Sequence, residues 1–105
     1  MDSRSGAESP LVRLGDIMRE IDSLDDELTL YVPSRESVTP DTPVMLVNEE
    51  LEGEPEGMSY LLEAYLVKDV LRVWKTWRAG REPTSDQAAE AIAYYANRDA
   101  FIPVE

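Results

Sequence analysis

One segment of the chain limits the choice of fold more than any other, because its helical pattern carries a wide apolar face. Over residues 66–79, apolar side chains recur at intervals of three and four, which predicts a helix. At about 100° per residue they cover an arc of roughly 160°. These side chains are Leu66, Val67, Val70, Leu71, Val73, Trp74 and Trp77. We expect this helix to be buried against a sheet and a second helix together, and to end at Gly80.

Three segments have the patterns of β-strands. Residues 28–32 alternate and stop at Pro33, residues 44–47 are continuously apolar, and residues 58–65 alternate again. Residues 33–43 contain three prolines, which predicts an irregular connection rather than a tight hairpin. We expect a mainly antiparallel three-stranded sheet in which the third strand is antiparallel to the second.

Two further helices are expected. Ser9 and Pro10 have the residue types that begin a helix, and an apolar stripe continues from there to about Leu24. Thr84 and Gln87 have the spacing of a capping box, which predicts the start of the last helix.

The predicted order is therefore α-β-β-β-α-α, an α+β fold with the helices packed on one face of the sheet. We expect residues 1–8 to be a disordered leader and residues 9–105 to form a single domain. Phe101 and Ile102, in the tail, are expected to pack against the core.

The chain of 105 residues contains no histidine and no cysteine. This composition excludes imidazole acid–base catalysis, nucleophiles activated by histidine, and ordinary zinc or iron–sulfur sites. We therefore expect a protein that is not an enzyme and that carries no cofactor. Because the sequence shows neither a membrane span nor the apolar core of a secretory signal, we also expect a cytoplasmic protein without membrane contact.

Negative charge dominates the composition, with 22 acidic against 10 basic side chains and a formal net charge of −12. Residues 1–67 contain 16 of the acids and 4 of the bases, so the excess lies before residue 68. It is concentrated in an acidic turn and a glutamate-rich loop, whose acids are Asp25, Asp26, Glu27, Glu49, Glu50, Glu52, Glu54 and Glu56. These acids are interpreted as docking patches for a basic partner protein, which they would steer electrostatically. The alternative is that they only keep a small protein soluble. The loop lacks the spacing of a calcium-binding loop, so no metal site is predicted.

The same predicted helix carries a basic stripe. Lys68, Arg72 and Lys75 lie opposite the apolar arc, with Arg78 and Arg81 beyond them. One interpretation is a solvated helix face that complements the acidic remainder of the chain. The other is a contact with phosphate or with an acidic patch on a second copy.

The two tryptophans are expected to differ. Trp74 lies in the middle of the apolar arc and is predicted to be buried, whereas Trp77 lies near its edge and is predicted to contact a partner. A homodimer formed through Trp77 or through the basic stripe is left open.

Several segments together resemble a family of small, mostly uncharacterised bacterial domains. They are Tyr31-Val32-Pro33, Thr39-Pro40-Asp41-Thr42-Pro43-Val44, Val67-Lys68-Asp69-Val70 and Tyr94-Tyr95-Ala96-Asn97-Arg98-Asp99-Ala100-Phe101-Ile102. The last segment is the most specific of the four. Members of the family resemble the immunity-type proteins that accompany bacterial toxins, and the family has no established enzymatic activity.

Two functional hypotheses follow. In the first, the protein is a non-catalytic, immunity-like or inhibitor protein that docks a basic toxin or nucleic-acid-binding enzyme through its acidic loops. In the alternative, it is an inhibitor from a phage or mobile element that mimics nucleic acid and occupies the basic groove of a host defence enzyme. In both, the negative charge disfavours direct binding of nucleic acid or anionic lipid.

Overall fold

The computed structural model describes residues 11–104, so the predicted leader at residues 1–8 lies outside it. Along the chain the elements are β1 (Val12–Arg13), α1 (Leu14–Arg19), a 3₁₀ helix (Ile21–Ser23), β2 (Thr29–Val32), β3 (Pro43–Val47), α2 (Glu49–Glu52), β4 (Ser59–Glu63), α3 (Ala64–Thr76) and α4 (Ser85–Arg98). The predicted α+β class is confirmed. The sheet, however, has four strands rather than three, and the predicted element order is not matched.

The sheet order is β1-β3-β2-β4, and every neighbouring pair is antiparallel. The third predicted strand, β4, was expected to be antiparallel to the second, β3, and this is wrong. Both pair antiparallel with β2, the first predicted strand, so β3 and β4 run in the same direction. All four residues of β2 are buried, and a strand buried in this way occupies the centre of the sheet with a partner on each edge. The order of apolar residues along the chain does not show which strand takes that place.

The long first helix of the prediction is wrong for the described part of the chain. Val12 pairs with Val44 in the sheet, and the helix that follows is short. The reason lies in the loop before β3, which accepts the first helical N–H groups: Leu14 N donates to the Thr42 carbonyl at 2.9 Å and Gly15 N to the Pro40 carbonyl at 2.8 Å. A Cβ atom on Gly15 would lie 3.2 Å from that Pro40 oxygen, so a glycine allows the close approach. Tertiary hydrogen bonds therefore override the local helical period.

The main core lies between the sheet and the helices α1, α3 and α4. Leu30 and Val32 of β2 contribute to it, together with the middle of the predicted apolar face of α3. At the margins of that face, Leu66 and Val73 are half-buried and Trp77 is exposed. Trp74 is only 4% exposed, which confirms its predicted burial. The other fully or largely buried members on α3 and α4 are Ala64, Val67, Val70, Leu71, Ala88, Ala89, Ala91 and Ile92. Phe101 and Ile102 pack partly buried against this core, as predicted.

The capping box at the start of α4 is also confirmed. Gln87 N donates to the Thr84 hydroxyl at 3.1 Å, and Thr84 N donates to the Gln87 side-chain oxygen at 3.0 Å. These two bonds satisfy N–H groups that a helix start leaves open, which fixes where α4 begins. Within residues 11–104, none of the helices combines the length and the apolar character needed to cross a membrane.

Candidate functional site: an acidic groove

The antiparallel register brings one end of each of three strands together at the same end of the sheet. Thr29, the first residue of β2, pairs with Val47 at the end of β3 and with Glu63 at the end of β4. The acidic turn precedes β2, and the glutamate-rich loop follows β3. Both acidic segments and the last residue of β4 therefore meet at this end of the sheet although they are distant in sequence.

A cavity of about 450 Å³ lies where these segments meet. We call it the acidic groove; its lining residues are Asp26, Glu27, Thr29, Asn48, Glu49, Glu50, Glu63 and Tyr65. Five of these eight residues are carboxylates, so the groove concentrates negative charge in a concave surface. Such a surface raises the local concentration of cationic groups.

Hydrogen bonds from tyrosines hold two of the carboxylates. The Tyr31 hydroxyl donates to Glu49, and the Tyr60 hydroxyl donates to Glu63. The two tyrosine rings meet edge to face, with 6.2 Å between their centroids. Tyr31 alternates with Leu30 and Val32 along β2, so it lies on the sheet face opposite the main core. One buried and one half-buried tyrosine therefore hold two of the carboxylates that line the groove.

The same surroundings raise the pKa of both tyrosines well above the ordinary value. For Tyr31 the causes are burial, then the hydrogen bond to Glu49, then the negative charges of Glu49, Glu54 and Glu63. For Tyr60 they are burial, then the hydrogen bond to and the charge of Glu63. Both hydroxyls consequently stay protonated at neutral pH and remain donors to the groove carboxylates.

The remaining acids of the groove are positioned by their local backbone or by a cation. The Asn48 side chain caps α2 by accepting from Glu50 N at 3.1 Å. The Asp25 carboxylate accepts from Glu27 N at 2.9 Å, which closes the acidic turn. Lys68 Nζ donates to Asp26 Oδ1 at 2.6 Å and to the Leu24 carbonyl at 2.7 Å.

The structure thus brings four of the predicted acids into one place: Asp26, Glu27, Glu49 and Glu50. The other predicted acids do not line the groove and are exposed; they are Asp25, Glu52, Glu54 and Glu56.

Trp77 lies away from the groove. It directly follows the last residue of α3, whereas Tyr65 lies near the first turn, so the two are separated by roughly 18 Å of helix. Trp77 is 49% exposed, and its ring meets the Phe101 ring at 6.0 Å between centroids. Trp77 therefore belongs to a different surface from the acidic groove, and its predicted contact with a partner stays a prediction.

Four groove residues were not predicted: Thr29, Asn48, Glu63 and Tyr65. Glu63 and Tyr65 fall within a segment predicted to be one continuous strand, whereas the structure ends the strand at Glu63 and begins α3 at Ala64. The asparagine before a run of glutamates is a recognisable helix start, and it was the one sequence signal available for Asn48.

The basic stripe is largely paired with acids. Lys68 contacts Asp26, Arg72 contacts Asp69 at 3.1 Å, and Lys75 lies 3.7 Å from Glu82. Arg78 stacks over the Trp74 ring at 4.2 Å and donates to the Pro103 carbonyl. These contacts support the interpretation of the stripe as a solvated helix face that complements the acidic remainder.

Among residues 11–104, no group of three or more acidic side chains is arranged to hold a metal ion.

A family model for a domain of unknown function, DUF7716, matches residues 11–104. The chain belongs to the DUF7716 family. The match spans every element from β1 to the tail, and the expected membership of an uncharacterised family is confirmed. Searches of curated proteins and of solved structures found no match to this DUF7716 chain.

Proposed function

We propose that this DUF7716 protein is a non-catalytic binding protein whose acidic groove docks a basic partner protein. The observation that carries the proposal is the convergence of Asp26, Glu27, Glu49, Glu50 and Glu63 on one cavity. Acids that serve only solubility need no common location, whereas these come from three separate chain segments. The proposed role is that of an immunity-like or inhibitor protein in the cytoplasm.

The charge balance of the molecule supports this proposal. The formal net charge of −12 attracts a basic partner from a distance, and the groove gives that attraction a specific end point. Tyr31 and Tyr60 hold Glu49 and Glu63 in place before any partner arrives. Preorganised charges lose less conformational freedom on binding than mobile ones, which strengthens docking.

The nucleic-acid mimic from a phage or mobile element remains an alternative proposal. It requires two regularly spaced rows of acids, as in a nucleic acid backbone. The gathering of four predicted acids in one groove favours docking of a basic protein segment instead.

The test begins with capture of partners by the tagged chain in the organism that encodes it. The purified partner is then titrated with the chain from about 50 mM to about 500 mM NaCl, a range over which the screening length falls severalfold. We expect the dissociation constant to rise steeply with salt. An affinity that does not change over this range would contradict electrostatic docking. A partner that loses nucleic acid on binding the chain would favour the mimic.

A further inference from the structure

Thr29 is a buried polar residue whose hydroxyl lacks a partner within the described part of the chain. The residue is 2% exposed, and it lines the acidic groove. Its neighbours Tyr31 and Glu27 have polar contacts, but the Thr29 hydroxyl makes no hydrogen bond with any of residues 11–104. Buried hydroxyl groups are normally paired, because an unpaired one loses its hydrogen bonds to water without replacement. The floor of the groove thus has unused hydrogen-bonding capacity.

Tyr65 adds an aromatic surface to the wall of the groove. The residue is the second of α3 and is 48% exposed. It follows Glu63 by two residues, so an aromatic ring and a carboxylate flank the same cavity. A cation held by the carboxylates can therefore also lie against a ring face.

The spread of the carboxylates selects among cations. Within residues 11–104 they do not form a metal-binding group, which argues against a compact divalent ion. A lysine ammonium is likewise a compact point charge, whereas a guanidinium is planar, delocalised and carries five N–H donors. Because its donors lie in one plane, the guanidinium can donate to separated carboxylates and to a hydroxyl while its flat face stacks on an aromatic ring, whereas an ammonium has no planar face to stack.

We propose that the acidic groove is a binding site for an arginine side chain of the basic partner. The inference rests on the proposed function and deepens it by naming the recognised group. In this arrangement the guanidinium lies against Tyr65, donates to carboxylates of the walls, and reaches the Thr29 hydroxyl at the floor.

The test compares two short fluorescent peptides of glycine and serine that carry equal numbers of either arginines or lysines. Their dissociation constants for the intact chain are measured by fluorescence anisotropy at low salt. Because an aromatic contact with an exposed cation is worth about a two- to fivefold change in affinity, we expect the arginine peptide to bind tighter by about that factor.

Two variants test whether Tyr65 and Thr29 cause the tighter binding of the arginine peptide. Tyr65→Leu should weaken the arginine peptide more than the lysine peptide and thereby remove the difference between them. Thr29→Val, which keeps the branched shape that a strand favours, should weaken the arginine peptide by about fivefold, the value of one hydrogen bond. Tyr94→Leu is the matched control, since Tyr94 lies on α4 and outside the groove, and it should keep the preference. Circular dichroism confirms that each variant is folded.

Equal binding of the two peptides would overturn the arginine proposal and leave the docking of a basic partner standing. A preference that survives both Tyr65→Leu and Thr29→Val would also overturn it. Failure of both peptides to bind would overturn it too, whereas the proposed function is decided separately by the salt dependence of the captured partner.

Discussion

The two faces of strand β2 have opposite characters. Leu30 and Val32 point into an apolar core and are fully buried, whereas Thr29 and Tyr31 belong to the acidic groove and its support. One short strand therefore stabilises the fold on one side and positions charges on the other. We therefore expect that the exposed acids of the groove can be replaced without loss of the core.

A substitution on the core face of β2 should have the largest effect on stability. Leu30→Ala removes a fully buried side chain, and we expect the free energy of unfolding to fall by about 2–5 kcal/mol. Chemical denaturation measures this change. Leu51→Ala is the matched control, since Leu51 is 82% exposed, and it should change stability by less than about 0.5 kcal/mol. Equal losses in the two variants would contradict the assignment of the core.

Alkaline pH should lower the free energy of unfolding through Tyr31, which lies on the face of β2 opposite the core. The folded chain holds the Tyr31 proton more tightly than the unfolded chain, whose tyrosine pKa is about 10. The unfolded chain therefore binds fewer protons above pH 10, and the free energy of unfolding falls as pH rises. The loss attributable to Tyr31 should be about 1 kcal/mol per pH unit. Denaturation curves measured at several pH values give the free energy of unfolding of the wild type and of Tyr31→Phe. Plotted against pH, the wild-type value should fall more steeply above pH 10; equal slopes would show that Tyr31 is not the cause.

At neutral pH, Tyr31→Phe should have a smaller effect. It removes the hydroxyl that donates to Glu49 and keeps the ring, so we expect a loss of about 1 kcal/mol. Tyr94→Phe serves as the control, because within residues 11–104 the Tyr94 hydroxyl has no hydrogen-bond partner. Denaturation midpoints that are the same for both variants would mean that the bond to Glu49 does not contribute to stability.

The smallest effect on stability is expected for the groove acids themselves. Glu27 and Glu50 are exposed, and within the described residues their carboxylates form no side-chain hydrogen bond or ion pair. The double variant Glu27→Lys/Glu50→Lys should therefore change the free energy of unfolding by no more than about 0.5 kcal/mol. A thermal denaturation curve with a much lower midpoint would show that these acids are part of the fold.

Local signals in the sequence predicted α3 and α4 well. The wide apolar arc and the Thr84–Gln87 capping box depend on residues close in sequence, so their consequences can be worked out from spacing alone. The prediction of a long first helix was wrong because the N–H groups of Leu14 and Gly15 donate to the loop before β3, a contact between distant segments. The prediction for β4 was wrong for the same reason, because its pairing with β2 joins segments that are distant in sequence.

The groove shows the same limit. The acids of the turn and of the loop were visible as charge clusters, but their convergence depends on the register that pairs Thr29 with both Val47 and Glu63. Glu63 and Tyr65 became groove residues because a strand ends and a helix begins between them. The residue types around this junction do not show where the strand ends, whereas charge and composition can be counted directly.

The most direct test of the acidic groove as the docking site is a comparison of two charge-reversed variants that differ only in location. Glu27→Lys/Glu50→Lys changes the groove, and Glu52→Lys/Glu56→Lys makes the same change in net charge on the exposed loop outside it. With the captured partner, we expect the groove variant to bind at least about tenfold more weakly than the wild type and the loop variant to lose about twofold. Equal losses in the two variants, or full binding by the groove variant, would contradict the account.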